Sequence, residues 1–165
     1  MRTNHPAHLK AFDYVGLHRY FLTFCTDYRQ KFFVDASNVE LTLKQILRSA
    51  IENQFAITAY CFMPDHLHLL VEGETDSSNC LTFIKKAKQY SGFYFSQARG
   101  QKLWQRYGYE RIVREDENSL QVARYILENP IRAKLVGSLR DYPFIGSQQY
   151  SIEQLIDGMI DPESA

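Results

Sequence analysis

The stretch from Phe55 to Gly73 constrains the fold more than any other part of this sequence. It begins with a continuous apolar run, Phe55 to Met63, then has Pro64-Asp65, and continues as an alternating run from His66 to Glu72. A short apolar run is typical of a buried strand, Pro-Asp favours a turn, and alternation indicates a strand with two different faces. The stretch therefore predicts a β-hairpin in the middle of a sheet.

The flanking segments predict the remaining elements. They are a strand over 17–26, a helix from Ser37 to about Asn53, a helix over 81–98 closed by Gly100, a strand over 109–114, a helix over 120–135 interrupted at Asn129-Pro130, and an amphipathic helix carrying Ile152, Leu155, Ile156, Met159 and Ile160. Strand, helix, strand, strand, helix, strand is the order of the ferredoxin-like split β-α-β fold. We expect an α+β fold: a four- to five-stranded antiparallel sheet with helices on one face, a C-terminal helical extension and an open working face.

Composition indicates one globular domain. The chain has 165 residues, 45% of them hydrophobic, so it can bury a substantial core. Its three cysteines lack Cys-x-x-Cys spacing, which indicates neither a disulfide framework nor a thiolate zinc site. No run is apolar enough for a membrane span or a secretion signal. We expect a cytoplasmic domain over 1–165, with a core over about 17–136 and an extension over 137–165.

Charge is distributed unevenly along the chain. The net charge is zero, which argues weakly against a nucleic-acid binder, yet eight cations face only two anions between Cys80 and Glu115. Those cations are Lys85, Lys86, Lys88, Arg99, Lys102, Arg106, Arg111 and Arg114. A solvated helix face followed by a loop is one interpretation. Because aromatic residues interleave the cations, we favour a surface that binds a polyanion.

Two histidines occupy alternate positions of the predicted third strand. Side chains alternate in a strand, so His66 and His68 share one face while Leu67, Leu69 and Val71 share the other. The leucine face can supply core contacts, and two neutral imidazoles at i and i+2 can bind one divalent ion. The spacing alone fits hydrogen-bonded sheet histidines as well, and a metal site would need a further ligand.

The segment from Gln121 to Val136 contains a second pair of polar residues. Leu120, Ala123 and Leu127 form the predicted core stripe, and Tyr125 lies away from it. Asn129 lies on the face of Tyr125, one turn later. An Asn before Pro is also a common helix breaker, and Tyr125 is equally suited to an ordinary surface position.

Three blocks of the sequence resemble one family. FMPDHLHLLVEG, LWQRYGYERIVR, and ARYILENPIRAKLV followed by DYPF occur in the order found in the single-tyrosine HUH transposases, and they are most similar to the REP-associated tyrosine transposase branch. The resemblance covers about residues 17 to 146. It implies that His66 and His68 bind a metal ion, that Tyr125 is the nucleophile, and that Asn129 is the third metal ligand.

The resemblance also implies a reaction. Tyr125 would cleave single-stranded DNA, giving a 5′-phosphotyrosine and a free 3′-hydroxyl that can later reverse the reaction on another end. A phenol is a poor nucleophile at neutral pH, so the proton must leave as Tyr125 attacks. The ligand types suggest Mg²⁺ or Mn²⁺, with Zn²⁺ as an inhibitory or crystallisation occupant, and no organic cofactor.

The expected partner is single-stranded or hairpin DNA, held through phosphates by the cations between Lys85 and Arg114. Trp104, Tyr107 and Tyr109 could stack on bases, although ordinary packing explains Trp104 equally well. We expect a monomer, with a dimer as the alternative.

Three alternatives remain at this point. Tyr90 is a rival nucleophile, but four residues beyond it stands Tyr94, a poor ligand for a hard ion. The chain could be a non-catalytic, domesticated nucleic-acid-binding regulator on the same fold. It could also be a nuclease of the replication-initiator or relaxase type, although such domains usually belong to larger chains.

Overall fold

The computed structural model describes residues 12–158. Its elements are β1 (Arg19–Cys25), α1 (Ala36–Glu52), β2 (Phe55–Met63), β3 (His66–Gly73), α2 (Cys80–Arg99), β4 (Tyr109–Val113), α3 (Ser119–Leu127), α4 (Asn129–Arg132), β5 (Ile145–Gly146) and α5 (Ile152–Gly158). The order is the predicted one, with a short fifth strand contributed by the C-terminal extension. Met159 and Ile160, assigned to the last helix from the sequence, lie outside the described residues. Across 12–158, no helix combines the length and apolarity needed to cross a bilayer.

The sheet is antiparallel, with strand order β4-β1-β3-β2-β5. Strands β2 and β3 form the predicted hairpin, joined by Pro64 and Asp65. This arrangement confirms the α+β fold with an antiparallel sheet. Because β3 is the central strand, both of its histidines have a neighbouring strand on each side.

The helix boundaries follow local capping chemistry, with one correction. The capping-box spacing of Ser37 and Glu40 predicts Ser37 as the cap of helix α1. This prediction is wrong, because the helix is capped by Asp35, whose side chain accepts a hydrogen bond from the Ser37 backbone N–H. Aspartate accepts this bond as well as serine does, and it stands two residues earlier. Helix α2 starts after the Asn79 cap and ends, as predicted, at Gly100, which adopts φ 66°. The left-handed conformation at this position favours glycine, because glycine has no Cβ.

One face of the sheet carries α1 and α2. Helical spacing in the sequence predicts an inner stripe of α2 made of Leu81, Ile84, Lys88, Ser91, Phe95 and Ala98. This prediction is partly wrong, because Leu81 and Ala98 are exposed. The side chains of α2 that are buried belong to Cys80, Phe83, Ala87, Ser91 and Phe95. They meet Leu67, Leu69 and Val71 of β3 in a single aromatic-rich core. Cys25, Cys61 and Cys80 are buried free thiols.

The other face carries α3, α4 and α5. A register shift between Ile57 and Ala59 turns Ala59, Cys61 and Met63 toward this face, where they pack against Val122, Ala123, Ile126, Leu127 and Leu155. Leu120, predicted to be buried, is 41% exposed. Helix α3 lies over β2 and β3, so the face expected to be open is partly covered. A cleft remains over β1 and β4.

Candidate functional site

The two histidines of β3 point their Nε2 atoms at each other. His66 Nε2 and His68 Nε2 are 3.1 Å apart, on the sheet face opposite Leu67 and Leu69, as the alternation predicted. Asp65 Oδ1 lies 2.6 Å from His66 Nδ1, and Thr23 Oγ1 lies 2.8 Å from His68 Nδ1. When both Nδ1 atoms carry the protons in these bonds, both Nε2 lone pairs are free and converge. Partners on the outer nitrogen fix imidazoles in this way in metal sites.

The electrostatic environment keeps His68 uncharged. Burial, as the largest cause, and the nearby His66, Arg132 and Arg29 together lower the pKa of His68 to about 3. Thr23 is its cross-strand neighbour on β1, which is why a hydroxyl meets its Nδ1. A neutral imidazole is the form that binds a metal ion.

Tyr125 lies on the same sheet face as the histidines. Its ring is 57% exposed, in agreement with its predicted position away from the core stripe. Phe21 of β1 lies between the two groups, with its ring centroid 6.2 Å from that of Tyr125 and 5.4 Å from that of His68. Tyr125, Phe21 and Thr23 line a cleft of about 400 Å³. One chain therefore brings the tyrosine and the histidine pair to the same region.

Asn129 is the first residue of α4, one turn beyond Tyr125. Its Nδ2 donates to the backbone oxygens of Ile126, at 3.0 Å, and Tyr125, at 3.4 Å. Among residues 12–158 its Oδ1 accepts no hydrogen bond, and the side chain makes none to either histidine. Helix α4 packs on β2, where Cys61 is paired with His68. The amide oxygen is thus the atom left for a ligand, and its assignment as third ligand stays a prediction.

The predicted DNA-binding cations do not form one surface. Lys85, Lys88 and Arg106 line a pocket of about 460 Å³ together with Tyr107 and Tyr109. Arg111 lines the cleft of Tyr125, and Tyr109 lines both cavities. The two cavities therefore adjoin at the edge strand β4, one on each side of the sheet.

Most members of the predicted set are engaged in structural contacts. Lys88 Nζ donates to the backbone oxygens of Gln105 and Arg106, and Arg111 Nη1 donates to the carboxylate of Glu117. Arg99 binds the side chains of Ser37 and Asn38 at the start of α1. Lys102 lies 3.9 Å from Asp27, Arg114 pairs with Asp116, and Lys86 lies near the Tyr90 ring.

Trp104 is 5% exposed, its indole N–H donates to Ser91 Oγ, and its ring packs against Phe24 and Phe33. The structure therefore supports the packing interpretation of Trp104, because its ring faces are not available to a base.

Sequence reasoning missed four residues that shape this region. Asp65 had a local signal, since it directly precedes His66. Arg132 had a weaker local signal, because it stands two helical turns after Tyr125 in the sequence. Thr23 and Phe21 had none, since only the pairing of β1 with β3 places them beside His68.

Three comparisons place the chain among known proteins. The sequence profile described as "Transposase IS200 like" matches residues 14–129. An Escherichia coli K12 protein, the REP-associated tyrosine transposase, is 32% identical over 117 residues, which cover 66% of this chain and 67% of the relative. A Haemophilus influenzae Rd relative assigned to the same class is 26% identical over 109 residues, 54% of this chain. The chain spans 57% of that relative's length.

Solved structures support the fold. The REP-associated tyrosine transposase bound to a REP hairpin superposes with a TM-score of 0.69 at 19% identity, over 84% of this chain and 81% of the other. A crystal structure of a Deinococcus radiodurans protein assigned as a transposase gives a TM-score of 0.52 at 27% identity, over 72% of this chain and 95% of the other. Since the family profile spans well over half of the sequence, the chain belongs to the IS200-like transposase family, and the recognition of a REP-associated tyrosine transposase from its motifs is confirmed.

Proposed function

We propose that this protein is a metal-dependent single-stranded DNA endonuclease and strand transferase that acts at hairpin-forming repeat DNA through a 5′-phosphotyrosine intermediate. The observation that carries the proposal is the convergence of His66 Nε2 and His68 Nε2, 3.1 Å apart, on the sheet face that also carries Tyr125. The hairpin substrate is suggested by the solved relative, which was captured with a REP hairpin.

The donor set fits a divalent metal ion. Two imidazoles have their outer nitrogens engaged by Asp65 and Thr23, and the amide oxygen of Asn129 is one helical turn from the nucleophile. His66, His68 and Asn129 would hold Mg²⁺ or Mn²⁺. When bound, the ion supplies Lewis-acid polarisation of a phosphate oxygen and charge neutralisation at the leaving oxygen.

The residues of the chain itself have distinct tasks in this reaction. Tyr125 Oη gives up its proton to solvent and attacks the phosphorus, so that a new P–Oη bond forms as the P–O3′ bond breaks. The 3′-oxygen leaves with the bonding electrons and takes a proton from solvent. The bond energy is kept in the phosphotyrosine, which a second 3′-hydroxyl can attack. Phe21 sets the position of the Tyr125 ring relative to His68. Lys85, Lys88, Arg106 and Arg111 would bind the phosphates on both sides of β4.

The rival nucleophile has a different environment. Tyr90 belongs to α2, which covers the sheet face opposite the histidines. Its hydroxyl donates to Glu52 Oε2 at 2.6 Å, and Arg48 stacks on its ring. The hydrogen bond to Glu52 raises the pKa of Tyr90, which makes its phenol a weaker nucleophile. These contacts favour Tyr125.

The test is covalent capture of DNA. Incubation with single-stranded hairpin DNA and Mn²⁺ should give a protein–DNA adduct, resolved by denaturing electrophoresis. Tyr125→Phe should abolish it, because the phenolic oxygen is lost while the ring that packs on Phe21 is retained. Tyr90→Phe is the matched control and should form adduct like the wild type. An adduct that survives Tyr125→Phe would contradict the assignment.

The same assay separates the alternative functions. A domesticated regulator would bind the hairpin without forming an adduct under any metal condition. A nuclease that does not recognise the hairpin would form adduct equally well on unstructured single strands. A strong preference for hairpin DNA in adduct formation is the result expected of a REP-type transposase.

A further inference from the structure

Arg132 contacts the proposed nucleophile in two ways. Its guanidinium carbon lies 4.2 Å from the centre of the Tyr125 ring, and its Nη2 donates to the backbone oxygen of Tyr125. Phe21 contacts the same ring at a centroid distance of 6.2 Å. The exposed ring of Tyr125 is therefore held by a cation and a phenylalanine, rather than being free to rotate as a surface tyrosine would be.

Arg132 forms a long ion pair with Glu128, whose Oε2 is 3.8 Å from Arg132 Nη1, beyond hydrogen-bond range. Glu128 already binds Arg124 Nε at 2.9 Å through its other oxygen. A guanidinium has five N–H donors, and within residues 12–158 the one hydrogen bond of Arg132 is to the backbone oxygen of Tyr125, which leaves donors for an anion.

The position of Arg132 beside Tyr125 indicates that the anion it would bind is a phosphate of the substrate. With its carbon 4.2 Å from the ring centre, the guanidinium lies several ångströms from the phenolic oxygen of Tyr125. The same ring contacts Phe21, which in turn contacts His68, so Arg132 stacks on a ring that lies near the histidine pair. A phosphate placed between Tyr125 and the histidines would therefore lie within reach of this fork, which suits paired phosphate oxygens.

We propose that Arg132 is a further catalytic residue of this site, which clamps the ring of Tyr125 and binds a non-bridging oxygen of the phosphate that Tyr125 attacks. The inference rests on the proposed function, because it takes a DNA phosphate as the substrate group. The clamp reduces the orientations available to the nucleophile, and the phosphate contact stabilises charge that grows on the phosphoryl oxygens as the new bond forms.

Single-turnover adduct formation tests the role in catalysis. Arg132→Gln should lower the rate at saturating hairpin DNA by about 100-fold, the usual loss when one preorganised donor is removed. Arg132→Lys should be intermediate, because it keeps the charge but not the planar fork. The matched control is Arg124→Gln, which removes the other partner of Glu128 and should react like the wild type. Equal rates for Arg132→Gln and Arg124→Gln would overturn the proposal.

A binding experiment isolates the phosphate contact from the chemistry. In the Tyr125→Phe background and without metal, replacing the scissile phosphate by a neutral methylphosphonate should weaken hairpin binding. Adding Arg132→Gln should remove that difference, whereas adding Arg124→Gln should leave it. A methylphosphonate penalty of the same size with and without Arg132 would contradict the contact.

The clamp can be measured in the free protein. With ¹³C-labelled tyrosine, the NMR signal assigned to Tyr125 should shift on Arg132→Gln and stay in place on Arg124→Gln; an unshifted signal would refute the clamp.

A wild-type protein that forms no adduct would refute the proposed function, and with it the role in catalysis. Normal wild-type adduct formation together with an active Arg132→Gln would refute the role of Arg132 alone.

Discussion

The two faces of the sheet are built from the same strands but differ in chemistry. Toward α1 and α2, the side chains of Tyr20, Leu22, Leu67 and Leu69 are fully buried in an aromatic-rich core. Toward α3, the alternate positions carry Phe21, Thr23, His66 and His68, and the first two of these line an accessible cleft. The second face still has a core, but α3 covers β2 and β3 and leaves β1 accessible. Strand alternation thus lets one face stabilise the fold while the other holds reactive groups.

Adjacent residues of β3 give the sharpest test of this division. Leu69→Ala should lower the free energy of unfolding by about 2–5 kcal/mol, because it opens a cavity in the buried face. Per folded molecule, adduct formation should be unchanged. His68→Ala should abolish adduct formation and Mn²⁺ binding at a smaller cost in stability. Urea unfolding measures the stability, metal titration the Mn²⁺ affinity and the adduct assay the activity. A His68→Ala protein that cleaves like the wild type would contradict the division of the sheet into a stabilising face and a reactive face.

Asp65 orients His66, and its loss should weaken metal binding less than the loss of a histidine does. Asp65→Ala should weaken Mn²⁺ binding about 10- to 100-fold, because the ring loses the acceptor that orients it. Asp65 Oδ2 also accepts from Arg29 Nε, so Arg29→Gln is the control that removes the other partner and spares the imidazole. Calorimetric titration gives the dissociation constants. If both variants bind Mn²⁺ equally, Asp65 does not orient His66 for the metal.

The smallest effect expected is a pH dependence of stability that arises from His68. Its pKa is about 3 in the folded chain, below the ordinary value of 6.5, so the unfolded chain binds the proton more readily between these values. Stability should therefore fall as the pH drops below about 6.5. In metal-free protein the loss between pH 7 and 5.5 should be about 1 kcal/mol from this group. Urea unfolding of the wild type and His68→Gln at both pH values measures it; equal losses would show that another group titrates.

The sequence predicted the parts of this protein that depend on local pattern. Alternation in β3 was enough to assign its histidines to one face, and the Pro64-Asp65 turn was enough to predict the hairpin. Where the helix patterns were weak, the predictions failed in detail. Leu81 and Leu120 were assigned to buried stripes but are exposed, because the packing angle of each helix on the sheet decides which neighbouring positions are buried.

The basic segment shows a different limit. Its charge excess was evident, but Trp104 and Arg99 have roles that only packing partners reveal, an indole bonded to Ser91 and a guanidinium bonded to Asn38. Composition counts such residues as DNA-binding candidates. Burial and pairing in the fold remove the indole from the surface and engage the guanidinium.

By itself, the sequence determined the order of strands and helices along the chain, the histidine pair, the tyrosine and the family, because each is encoded in local periodicity or in a short motif. Only the tertiary structure decided that Phe21 and Thr23 stand beside His68, that Arg132 stacks on Tyr125, and that the cations of the basic segment divide between two sides of β4. These contacts join residues from different elements. They depend on strand register and helix packing, which are set by burial of the whole core rather than by neighbours in the chain.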